Sequence, residues 1–64
     1  MTPAEFRQRF GLTVPEATAL FRVERACWYR WERAGAWPKG PAGQLARLLE
    51  ARPEMVAVLR EWVG

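Results

Sequence analysis

The stretch Leu12-Thr13-Val14-Pro15-Glu16-Ala17-Thr18-Ala19-Leu20-Phe21-Arg22-Val23-Glu24-Arg25-Ala26-Cys27-Trp28-Tyr29-Arg30-Trp31-Glu32 decides how this chain is read. Thr13-Val14-Pro15-Glu16 is a helix start: a capping Thr, a Pro in the first turn and a Glu three residues after the cap. Ala17, Leu20 and Phe21 follow at helical spacing. A second periodic run spans about 24–34 and stops at Gly35, a residue that ends helices by taking a left-handed conformation. At ~100° per residue, Trp28, Trp31, Cys27 and Ala34 collect on one half of that second helix. Arg25, Ala26, Tyr29, Arg30 and Arg33 collect on the other half. One side is expected in a core, the other as a basic ridge with a Tyr inside it, and Glu24 and Glu32 lie at its end and edge.

Similar signals extend in both directions. Thr2-Pro3-Ala4-Glu5 is the same capped start, followed by Phe6 and Phe10 on one face and a stop at Gly11. Downstream, Ala36-Trp37-Pro38-Lys39-Gly40-Pro41 reads as a loop, with Trp37 pinning it to the core. Gly40-Pro41 opens a fourth helix, with Leu45, Leu48 and Leu49 at helical spacing. Pro53 begins a fifth, about 53–63, with Met55, Val58, Leu59 and Trp62 on one face and Val56 and Val63 widening the stripe. No run alternates with period two over strand length. The expected fold class is all-α, five short helices in one domain, 1–64, without linker or low-complexity tract.

Composition narrows the function. The 64 residues include no His, Ser, Asp or Asn and one Cys, Cys27. A Ser-His-Asp or Cys-His arrangement within the chain is excluded, as is a zinc cage of Cys and His. The expected class is a binding module rather than an enzyme, with no cofactor and no metal. A chain of this size buries only ~60% of its unfolded surface, so a partner subunit is expected to supply part of the stability. Half of the residues are apolar and four are Trp, which fill a small core efficiently. A single Cys and no apolar leader fit a reducing cytoplasm, and no apolar run approaches the ~20 residues of a membrane span.

Charge matters by its location. The net charge is +3, and the segment 22–39 alone carries five basic residues (Arg22, Arg25, Arg30, Arg33, Lys39) against Glu24 and Glu32. The other five Arg and five Glu cancel. The whole excess therefore lies in one short stretch, an electrostatic footprint for a polyanion, of which nucleic acid is the commonest. Arg donates bidentate hydrogen bonds to guanine or to phosphate, and Tyr can bond a phosphate or press on a thymine methyl. A helix so decorated suits the DNA major groove.

The order of residues from Leu12 to Glu32 resembles the helix-turn-helix of the lambda-repressor-like (Cro/cI, XRE) transcriptional regulators. The matching features are Leu12-Thr13, Glu16, Leu20, Val23 and Arg30-Trp31-Glu32. Pro38, Gly40-Pro41, then Leu45, Leu48 and Leu49 before Pro53-Glu54, are similar to short phage-type and antitoxin-type members. The resemblance covers nearly the whole chain. It implies a helix-turn-helix over about 14–34 and a DNA-binding repressor that works as a dimer. By position it implies base contacts from Arg25, Ala26, Tyr29 and Arg30, and burial of Val23, Trp28 and Trp31. Phosphate contacts are expected from Arg22, Arg33 and Lys39.

Four positions depart from the family pattern. Arg22 stands where Gly usually makes the turn, so a left-handed backbone there would carry strain. Glu24 replaces the usual Ser or Thr cap, Val14 a Gln, and Trp28 a smaller aliphatic residue. The dimer contact is assigned to the last helix through Val56, Leu59, Trp62 and Val63; the other reading is that Met55, Leu59 and Trp62 only close the monomer core. Two functional readings follow. One is sequence-specific binding of double-stranded DNA as a homodimer on an inverted repeat. The alternative is a protein-interaction module on the same fold, an antitoxin or phage factor that binds a host protein.

Overall fold

Two threonines begin the first two helices, and they do so identically. Thr2 Oγ1 accepts from the Glu5 backbone N–H at 3.2 Å while the Glu5 carboxylate accepts from the Thr2 N–H at 2.8 Å. Thr13 and Glu16 repeat both bonds at the same distances. Each box satisfies two backbone donors that a helix start otherwise leaves open. The backbone bonds hold both carboxyls below the usual range, so both stay charged beside a positive helix end.

The computed structural model describes residues 1–63; Gly64, the end of the expected domain, lies outside them. It contains α1 (Pro3–Arg9), α2 (Val14–Phe21), α3 (Arg25–Ala34), α4 (Pro41–Ala51) and α5 (Met55–Val63), and no strand among the described residues. The all-α expectation with five short helices is met. The last helix starts two residues later than expected, because Pro53 and Glu54 form a turn. The Met55 and Val56 N–H groups bond back across it to Arg52 and Pro53 carbonyls.

The core is aromatic. Phe6 and Trp28 are fully buried, and they meet Phe21 and Trp37 in one cluster. Phe21 stacks on Trp37 with centroids 5.3 Å apart, while Phe6 and Trp28 meet the same indole edge-on. These geometries match the ring quadrupoles and add to plain burial. Leu12, Ala17, Leu20, Ala46, Leu49 and Val56 complete the core. Trp37 pins the loop as expected, and its indole N–H donates to the Met1 carbonyl at 2.9 Å.

The joint between α2 and α3 is a tight turn. Val23 N–H bonds the Thr18 carbonyl at 3.1 Å and Arg22 N–H the Ala19 carbonyl at 3.4 Å, with Arg22 left-handed at φ 54°, ψ 50°. This is the paired helix stop in which Gly normally occupies the left-handed position. The strain foreseen at Arg22 is therefore present, since a Cβ crowds its own carbonyl there. Arg22→Gly is expected to raise stability by about 0.5–1 kcal/mol in chemical denaturation, the relief of strain outweighing the looser unfolded chain.

Four placements differ from expectation. Val56, assigned to a dimer contact, is buried against the core. Trp62, which the monomer-closing alternative put inside, is 72% exposed, and Met55 is exposed as well. Helix α5 is rotated so that Val56 faces inward, with Leu59 and Val63 half-buried beside it. Periodicity shows that an apolar stripe exists; packing of the neighbouring helices decides which edge is covered. Ala34 is also exposed, because it lies in the last turn of α3, past the end of the core.

Candidate nucleic-acid interface

Helix α3 is built to present one side. Trp28 is sunk in the core and Trp31 is half-buried against it, which fixes the rotation of the helix about its axis. The opposite half then faces outward: Arg25, Ala26, Tyr29, Arg30 and Arg33 are all exposed, with Tyr29 at 50%. Cys27 is half-buried at the edge between the two halves. The structure thus brings together on one face all four residues expected to read bases, with Arg33 beside them. Arg22 is exposed in the turn before the helix. Lys39 stands apart in the loop, where it lines a cleft of about 300 Å³ with Gln44 and Arg47 of α4.

None of Arg22, Arg25, Arg30, Arg33 and Lys39 forms an ion pair among the described residues. Their charge is uncompensated and available to a ligand. Glu32, the acid within the helix that carries the ridge, is turned away and occupied. Its Oε2 accepts from Arg7 Nε at 2.7 Å and from the Trp28 indole N–H, and Oε1 accepts from Arg7 Nη2 at 3.2 Å. The two-pronged Arg7 contact, then the Trp28 bond, hold the Glu32 carboxyl below its ordinary range despite partial burial. Arg7 on α1 cancels the charge that would otherwise weaken the ridge.

That link was not visible in the sequence. Arg7 and Glu32 are far apart in the chain, and nothing local marks them as partners. Glu24 behaves as its identity suggests: it occupies the position before α3, but its side chain makes no capping bond. Its carboxylate stays exposed at the head of the ridge. Gly35 ends α3 in the expected left-handed conformation, so the ridge stops at Arg33.

Among the described residues there is no group of three potential metal-ligating side chains, and no helix is long and apolar enough to cross a membrane. No protein-family model, no curated protein and no solved structure matches this chain.

Proposed function

We propose that this chain is a sequence-specific double-stranded DNA-binding transcriptional regulator, a dimeric repressor that uses α2 and α3 as a helix-turn-helix. The observation that carries the reading is the α3 ridge: Arg25, Arg30 and Arg33, unpaired and exposed around Tyr29, on a helix whose opposite side is locked by Trp28. An exposed helix of this width enters the major groove, where Arg can grip guanine O6 and N7 and Tyr29 can meet a methyl or a phosphate. Ala26 leaves room for close approach. Arg22 and Arg33 flank the reading residues, Lys39 stands apart in the loop, and all three are exposed and suit phosphate oxygens, which set register rather than sequence. Two copies would place two α3 helices in successive major grooves about 34 Å apart, on an inverted repeat. Occupying that site blocks a promoter, and the site of action is the cytoplasm.

The test is selection from a random double-stranded DNA pool, followed by binding across a salt series. An inverted repeat should be enriched, and its affinity should fall steeply with salt as phosphate counterions are released. Arg30→Ala should weaken binding to the selected site by about 1–3 kcal/mol and relax preference at one base position. Equal loss on every DNA would instead place Arg30 on phosphate. Absence of enrichment would remove the reading.

The exposed, uncapped Glu24 at the head of the ridge favours the second reading, a module that binds a protein. A carboxylate there meets phosphates with the wrong sign but suits a partner with a basic group. That reading requires a tight protein complex with little dependence on salt.

A further inference from the structure

The fold treats the two acids of the α3 segment differently. Glu32 is bound through both oxygens, to Arg7 and to the Trp28 indole. Glu24 is left bare. It is exposed, forms no ion pair among the described residues and gives α3 no capping bond. At the starts of α1 and α2, by contrast, the hydroxyls of Thr2 and Thr13 do cap. Glu24 holds the same extended backbone, φ −78° and ψ 157°, and forgoes the stabilisation that a Ser or Thr would bring there. On a face that only gripped phosphates, a bare carboxylate would be a pure loss.

Its use lies in acceptor chemistry, which the rest of the ridge lacks. Arg25, Arg30 and Arg33 have donors and no acceptor, and the Ala26 side chain has neither. Only the Tyr29 hydroxyl can do both. In the major groove guanine offers two acceptors and thymine one, and Arg answers those. Cytosine offers a single donor, N4–H, which no Arg can answer. Guanine and thymine oxygens repel a carboxylate. Adenine sets its N6 donor beside the N7 acceptor, so a carboxylate placed there meets N7 with like polarity. Cytosine is the base whose own edge gives a donor without an acceptor beside it. A helix-turn-helix puts the N-terminal residues of its second helix against base edges, and Glu24 and Arg25 are the first two side chains at that end of α3.

We infer that Glu24 is a specificity residue whose carboxylate accepts a hydrogen bond from cytosine N4, so that each half-site carries a cytosine facing the head of α3. Arg25 beside it donates to guanine, and together the two give the leading end of the helix an acceptor next to a donor. The inference rests on the DNA-binding reading above and adds to it the identity of one base. It also gives Glu24 a role that repulsion of phosphate alone does not.

The random-pool selection, repeated with Glu24→Gln and Glu24→Ala, tests this. Neither change removes a capping bond, so both variants should keep the helicity of the parent. The parent should enrich one cytosine position per half-site, which Glu24→Gln converts to adenine because an amide pairs with N6 and N7 together. Glu24→Ala should lose preference at that position alone. Replacing that cytosine pair in the selected site should weaken binding of the parent by about 5–100-fold, and of Glu24→Ala by less than about twofold. If Glu24→Ala instead tightens binding equally on every DNA and selects the same sequence as the parent, Glu24 only repels phosphate. That result overturns the inference and leaves the DNA-binding reading standing. If the parent itself enriches no sequence, the DNA-binding reading fails and the inference falls with it.

Discussion

Gly43→Ala is expected to lower stability by about 1–3 kcal/mol, a fall in Tm on the order of 10 °C for a domain this small. In an exposed helix the same substitution gains about 1 kcal/mol, because Ala is the better helix former. The sign reverses here because of the loop that crosses α4. A Cβ on Gly43 would lie 2.2 Å from the Pro38 carbonyl oxygen and 4.0 Å from Trp37 Cβ. The obstacle is backbone, so no side-chain rotation relieves it. Moving Pro38 drags Trp37 with it, and Trp37 is stacked on Phe21 and edge-on to Phe6 and Trp28. Thermal unfolding followed by circular dichroism reads the loss, and tryptophan fluorescence reads displacement of Trp37. A variant as stable as the parent would mean that the loop does not press on α4 as described.

Glu32→Ala is expected to cost about 2–4 kcal/mol, out of a total of roughly 3–10 kcal/mol for a chain of this length. Trp28 is fully buried, and its indole N–H has Glu32 as its acceptor. Removing that acceptor leaves a buried donor unpaired and frees Arg7, which joins α1 to α3 through the same carboxylate. Glu32→Gln keeps an oxygen acceptor and loses the charge, so a smaller loss is expected. The same site sets an acid limit. The Glu32 carboxyl is held below its ordinary range, chiefly by Arg7. Its contribution is therefore complete above the unfolded carboxyl value of ~4.3 and disappears as pH falls through the lower folded value. Denaturation at neutral pH and at about pH 3 should show the Glu32→Ala deficit shrinking in acid. A deficit of equal size at both would assign the loss to packing instead of charge.

These two sites bear on function because they orient α3. Trp28 and Glu32 set the rotation of the helix, and the loop pressed on Gly43 positions Trp37 against Trp28. If the ridge binds DNA as proposed, folded fractions of either variant should lose affinity without any change on the ridge itself. Arg30→Ala should do the reverse, weakening binding while leaving stability intact.

Much of this was legible in the sequence, for local reasons. The capping boxes at Thr2 and Thr13, the stop at Gly35 and the division of α3 into an aromatic and a basic half depend on residues within a turn or two of each other. Spacing alone was enough to name Arg25, Tyr29, Arg30 and Arg33 as one exposed face. Composition ruled out triad and zinc chemistry because the required side chains are missing from the chain.

What required the tertiary structure involves partners distant in sequence. The apolar stripe of α5 was plain, yet its inward edge at Val56 and its outward Trp62 depend on how α5 lies against α2 and α4. The strain at Arg22 could be suspected from its place in the turn, but only the φ of 54° shows that the chain accepts it. Nothing near Gly43 announces the Pro38 carbonyl, and nothing near Arg7 announces Glu32. Helix starts, stops and faces are set by short-range hydrogen bonds and periodicity, which the sequence by itself determines. Which face is covered, and which charge is cancelled, follows from long-range packing that only the folded chain decides.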